Sequence, residues 1–159
     1  MGGKMEDKVK EGQIALSGER PTLNVLEVNV AMTADEFARL QKIIVAKQVL
    51  IDHALESDHV FVEQDENSVF LRGLSDAVLA DHRETCTRFL LMIVRMAQKL
   101  TRVNSRKFCP ENEKYAFRCF LIRLGMIGSE YKLDRAYLLS HLPGSAAYKH
   151  GAPRSEIGL

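Results

Sequence analysis

Between residues 75 and 101 the chain places Leu79, His82, Cys86, Phe89, Ile93, Ala97 and Leu100 at steps of three and four. That spacing puts all seven side chains on one stripe of a long α-helix. A stripe of this length has to be covered by other parts of the chain, so this helix is expected to be the spine of the core. Ser75 or Asp76 can cap its N-terminus, and the pattern runs to about Thr101. The chain has 159 residues, of which 46% are hydrophobic and 27% charged, enough apolar material for one core of ordinary domain size.

What precedes the spine alternates between two periods. In Leu23 to Val30, Leu26, Val28 and Val30 fall on one side of a strand and Glu27 and Asn29 on the other, the period-2 signature of a half-buried strand. Thr33 with Glu36 three positions on reads as a capping box, opening a helix whose stripe is Phe37, Leu40, Ile44, Ile51 and Leu55. His59 to Glu63 and Ser68 to Arg72 are two β-rich runs separated by the polar Gln64 to Asn67, which predicts a hairpin.

After the spine, Pro110 suits the first turn of another helix. That helix carries Tyr115, Phe117, Phe120, Leu121, Leu124 and Ile127 and is expected to stop at Gly128. Ser129 can cap a last helix to about Leu142, which Pro143-Gly144 terminates. The order strand, helix, hairpin, then three helices defines an α+β fold, a small three-stranded sheet with helices packed on it. Residues 1–20, rich in Lys, Glu and Gly, are expected to be a flexible tail, 21–150 a single domain with a basic helical C-terminal unit over 110–150, and 151–159 a second flexible tail.

No apolar run is long enough for a membrane span, since Arg95 and Lys99 interrupt the best candidate. The N-terminus lacks the apolar region of a signal peptide, so the expected location is cytoplasmic with no membrane partner. Cys86, Cys109 and Cys119 make an odd set without a CxxC pair, which suits a reducing compartment. Cys86 and Cys119 occupy apolar helix positions and are expected to be buried, with Cys109 before Pro110 more exposed.

His82 and Cys86, four apart on a helix, could form a nucleophilic dyad or half of a metal site. Their place within an apolar stripe favours a packed pair instead, and His53, His59 and His141 are scattered singly. Asp58, Glu63, Asp65 and Glu66 cluster where a turn would place them. GxGxxG, GxxxxGK[ST], GxSxG and HExxH do not occur. The expectation is a protein that is not an enzyme, with no cofactor and no metal.

The net charge of +1 hides an asymmetry: residues 1–100 hold 12 Lys and Arg against 16 Asp and Glu, residues 101–159 hold 10 against 5. The basic end offers Arg118, Lys132, Arg135 and Lys149 as a surface for a partner or for nucleic-acid phosphates. Arg102, Arg106, Lys107, His150 and Arg154 could extend it, and Tyr115, Tyr131, Tyr137 and Tyr148 could stack on bases. Two short helices joined at Gly128 can also be likened to a helix-turn-helix.

One phrase at this end has a family look. Arg123 to Gly128 (RLGMIG), Glu130 to Lys132 (EYK), the pair Leu138-Leu139 and Leu142 to Tyr148 (LPGSAAY) follow in that order. Together they resemble the C-terminus of a family of small Firmicutes proteins of prophages and conjugative elements, often labelled virulence-related. Pro143 stands where that family usually has Ser or Thr, and Ser145 matches its Ser or Asn after the glycine. The resemblance covers this C-terminal segment and implies a mobile-element accessory role without a defined activity. The missing catalytic motifs and the apolar-facing His82 and Cys86 give the expectation of a non-catalytic module that binds a host or element-encoded protein, which in a mobile-element context could be an inhibitor of host defence of the anti-CRISPR kind, with a nucleic-acid-binding regulator using the basic C-terminal helices as the alternative.

Overall fold

The computed structural model describes residues 25–103 and 110–146. Both expected tails, together with Cys109, Tyr148 and Lys149, lie outside the described residues.

Strand β1 (Val25–Val28) buries Leu26 and Val28 and turns Glu27 outward, as its alternation requires. Helix α1 (Ala34–Ala46) starts at the expected capping box: Glu36 N–H donates to Thr33 Oγ1 at 3.1 Å, and Thr33 N–H donates to Glu36 Oε1 at 3.0 Å. The single helix expected over Thr33 to Leu55 is instead two. The backbone leaves helical geometry at Lys47 (φ −105°, ψ 17°) and α2 runs Gln48–Ala54. The break turns the Gln48 side chain toward the following connection, where Nε2 donates to Val60 O at 2.8 Å and to Asp52 Oδ1 at 3.0 Å. The same Asp52 oxygen accepts from Val60 N–H at 2.9 Å, so one carboxylate organises the path into the sheet.

Strands β2 (Phe61–Gln64) and β3 (Val69–Arg72) form the expected hairpin, whose turn is closed by Asp65 Oδ1 accepting from Asn67 N–H and Ser68 N–H. The sheet order is β1-β3-β2 with both pairings antiparallel, so β3 is central and a direct β1–β2 parallel pairing does not arise. The register aligns Leu26, Leu71 and Val62 across the sheet, all buried on the helix-covered face.

Helix α3 (Asp76–Lys99) is the spine, capped by Ser75. It packs on α1 and β1, and Arg39 Nε from α1 donates to Ala97 O at 2.9 Å. Leu79, Cys86, Phe89, Ile93 and Ala97 are buried as the stripe predicts. Two members of the stripe depart from it. Leu100 lies past the helix and is 38% exposed, and His82 sits half-buried at a kink with non-helical angles (φ −134°, ψ 25°).

Helix α4 (Glu113–Leu124) begins at Asn112 rather than at Pro110, because the Asn112 side chain accepts from Tyr115 N–H at 3.1 Å and thereby supplies the cap. A single 3₁₀ turn (Ser129–Tyr131) leads into α5 (Lys132–Ser140). Phe89, Phe117 and Phe120, all buried, join α3 to α4 with ring centroids 5.8 to 6.4 Å apart.

Candidate functional site

The most unusual surface lies where α4 passes into α5. Helix α4 stops at Gly125, three residues before the expected Gly128, and the reason is local. Gly125 takes the left-handed region (φ 102°), its N–H donates to Ile122 O, and Met126 N–H donates to Leu121 O at 3.0 Å. These are the two bonds of a Schellman ending, and the buried Met126 supplies its apolar contact. The consequence falls on Ile127, which the sequence pattern had placed on this helix: it lies beyond the helix and is 59% exposed.

Two charged side chains then fix the chain that follows. Arg135 Nη1 donates to Met126 O at 3.0 Å and to Gly128 O at 2.9 Å, so a residue of α5 ties down the carbonyls of the connection. Its neighbour Asp134 points the other way, into α3, and its side chain is only 3% exposed. There Arg88 grips it with two bonds, Nε to Oδ2 at 2.7 Å and Nη2 to Oδ1 at 2.8 Å, and Thr85 Oγ1 donates to Oδ1 at 2.6 Å. The bonds from Arg88 hold the Asp134 carboxyl below the usual carboxylate range, with Thr85 assisting and burial opposing. Immediately before this pair stands Leu133, 83% exposed.

The basic residues singled out in the sequence therefore separate. Arg118 lies exposed on α4 and Lys132 exposed at the start of α5, whereas Arg135 is half-buried and engaged with backbone carbonyls. Of the tyrosines, Tyr115 and Tyr131 are half-buried. Tyr137 stacks on His82 with centroids 3.7 Å apart, and its buried hydroxyl has no hydrogen-bond partner among the described residues. Burial first, then the neighbouring Cys86, pushes the Tyr137 hydroxyl up to about 12.

The His82–Cys86 pair is not arranged as a dyad. Cys86 is fully buried and burial pushes its thiol up to about 12, so it is protonated at neutral pH and a poor nucleophile. Cys119, expected to be buried, is half-buried. Two other histidines bind elements together: His53 Nδ1 lies 2.6 Å from Glu113 Oε1 of α4, and His141 Nε2 lies 3.1 Å from Glu56 Oε2 beyond α2. Among the described residues no three His, Cys, Asp or Glu side chains converge as a metal site would require, and no helix is long and apolar enough to cross a membrane.

Sequence reasoning missed Asp134, Arg88, Thr85, Ile127 and Leu133. A signal existed for one part of this: Gly125 directly follows Leu124 at the end of the run Phe120 to Leu124, a position that a C-terminal helix cap favours. No family model, curated protein or solved structure matches the chain.

Proposed function

We propose that this protein is a non-catalytic protein-interaction module, a mobile-element accessory protein, whose contact surface is the connection between α4 and α5. The observation that carries the reading is the exposure of Leu133 and Ile127, 83% and 59%, on a backbone held by Arg135 and, through Asp134, by Arg88. A large apolar side chain presented to water on a pre-ordered backbone loses little entropy on docking, which is the economy a binding hot spot requires. Lys132, exposed beside Leu133, and the +5 balance of residues 101–159 suit a partner with an acidic rim. The C-terminal phrase that resembles prophage and conjugative-element proteins supports a host defence protein as that partner, with inhibition as the outcome. The state of Cys86 and the engagement of Asp134 and Arg135 in structure support a binding role over a chemical one.

The test is affinity capture from nuclease-treated host lysate with wild-type bait and with Leu133→Asp bait of unchanged Tm. The reading expects a protein retained by the first and lost by the second, with its association slowed by salt more than its dissociation is hastened. Capture that does not differ between the two baits contradicts it. Duplex or RNA binding that falls steeply with salt and is lost in Arg118→Glu/Lys132→Glu would establish the nucleic-acid-binding alternative in its place.

A further inference from the structure

In the order β1-β3-β2, strand β2 is paired on one side only. Asp65 N–H donates to Ser68 O at 3.0 Å, which fixes the alternation along the hairpin: Phe61 and Glu63 turn their backbone groups toward β3, while Val60, Val62 and Gln64 turn theirs away from it. Helix α2 satisfies the first of these three. Val60 N–H donates to Asp52 Oδ1 at 2.9 Å, and Val60 O accepts from Gln48 Nε2 at 2.8 Å. Beyond that point the edge is open: the outward N–H and C=O groups of Val62 and Gln64 have no hydrogen-bond partner among the described residues. The side chains along the open stretch are acidic around one ring. Phe61 is 40% exposed with the His59 ring stacked 6.1 Å from it, and Glu63, Asp65 and Glu66 are exposed. Residues 58–72 hold four carboxylates, and Arg72, the one Lys or Arg among them, is engaged with Glu63.

We propose that β2 takes an extended, basic segment of a partner protein as a fourth strand. Val62 and Gln64 provide the backbone bonds, and the outer face receives a lysine or arginine opposite Glu63 and an apolar or arginine side chain opposite Phe61. Charge selects the occupant. A second copy pairing edge to edge would bring Glu63, Asp65 and Glu66 against the same residues of its partner, and like charges across a ladder repel. Nucleic-acid phosphates meet the same carboxylates. A cationic strand is attracted by them and gains the open backbone groups as well. This edge lies in the sheet, and the segment it takes carries the opposite charge to the acidic rim proposed for the α4–α5 connection.

The test titrates full-length protein with capped Lys-Val-Lys-Val-Lys-Val while backbone amide shifts and exchange are followed, with Glu-Val-Glu-Val-Glu-Val as control. The basic peptide is expected to shift amides within 60–66 and to slow exchange at Val62 and Gln64, with the acidic peptide binding about tenfold more weakly. Gln64→Pro removes one outward N–H and no bond to β3, so it is expected to weaken the basic peptide about tenfold at unchanged Tm. Should that variant lower Tm, the basic peptide N-methylated at every residue replaces it and is expected to give no shift at Val62 or Gln64. Glu63→Gln/Glu66→Gln is expected to weaken the basic peptide about threefold and to flatten its salt dependence. Leu133→Asp is expected to leave the peptide's affinity unchanged, which separates this edge from the α4–α5 reading. Equal affinity for the two peptides, shifts confined to other residues, or wild-type binding by a folded Gln64→Pro would each overturn the proposal. So would Val62 and Gln64 amides that are as protected as the ladder amides before peptide is added, since the edge would then be filled by this chain or by a second copy.

Discussion

The sheet with α1, α2 and α3 and the C-terminal unit of α4 and α5 share one buried core but differ in how much directional bonding adds to it. In the first, aliphatic residues at regular spacing close a single layer: Leu26, Leu71 and Val62 across the sheet, Leu40, Ile44 and Ile51 from the first two helices, Ile93 and Ala97 from the spine. In the second, specific ties do much of the placing. Asp134 locks onto Arg88 and Thr85, Arg135 onto two carbonyls, His53 onto Glu113 and His141 onto Glu56. Periodic burial makes a region stable in many small increments, whereas directional bonds between distant residues set an orientation and leave apolar residues free to face water.

The joint between the two regions should show the largest effect. Phe89 touches both Phe117 and Phe120, and Phe89→Ala should cost about 3–5 kcal/mol in denaturant unfolding, with sheet and C-terminal signals lost in one transition. A cost under about 1 kcal/mol would mean the two regions do not share a core.

The buried carboxylate comes next. Asp134→Ala should cost about 1–3 kcal/mol, because Arg88 is partly exposed and can find water while Thr85 and the α5 backbone lose their anchor. The pH dependence has a definite sign. Asp134 has a folded pKa below its unfolded value, so its contribution is complete above the unfolded pKa and is lost as pH falls through the folded one. Wild type should therefore lose stability below about pH 4 by an increment that Asp134→Asn lacks. Parallel acid profiles for the two proteins would remove Asp134 from the description of the joint.

A smaller effect belongs to the turn after α5. Gly144 has φ 106°, and a Cβ there would lie 2.1 Å from Asn112 Oδ1, the oxygen that caps α4 and also accepts from Ser145 N–H at 3.1 Å. Gly144→Ala should cost about 1–2 kcal/mol and loosen the start of α4. Amide exchange at Tyr115 is the readout, and an unchanged rate there would detach this turn from the helix it is described as capping.

The same contrast explains which parts of the molecule were legible in the sequence. The strand at Leu26 and Val28, the Thr33–Glu36 cap, the hairpin and the spine announce themselves because each depends on spacing within one element. The split at Lys47 was not legible, since the bond that goes with it, Gln48 to Val60, joins residues twelve apart. Asp134 and Arg88 are 46 residues apart, and neither residue type carries a mark of its partner. Ile127 was misplaced because two glycines followed one apolar run and the nearer one took the cap. The Leu142 to Ser145 turn was expected as a helix stop and is one: α5 ends at Ser140, Leu142 is buried and Lys114 N–H donates to Pro143 O at 3.0 Å.

The central claim is that the α4–α5 connection is rigid while Ile127 and, in the first turn of α5, Leu133 face solvent, and amide hydrogen exchange over residues 121–134 tests it most directly. The Met126 amide, bonded to Leu121 O, and the Tyr131 amide, bonded to Gly128 O, should exchange with the slow rates of the helices on either side, and Asp134→Asn should speed them. Exchange at both amides as fast as in an unstructured peptide, in a protein whose α3 amides stay protected, would contradict the claim.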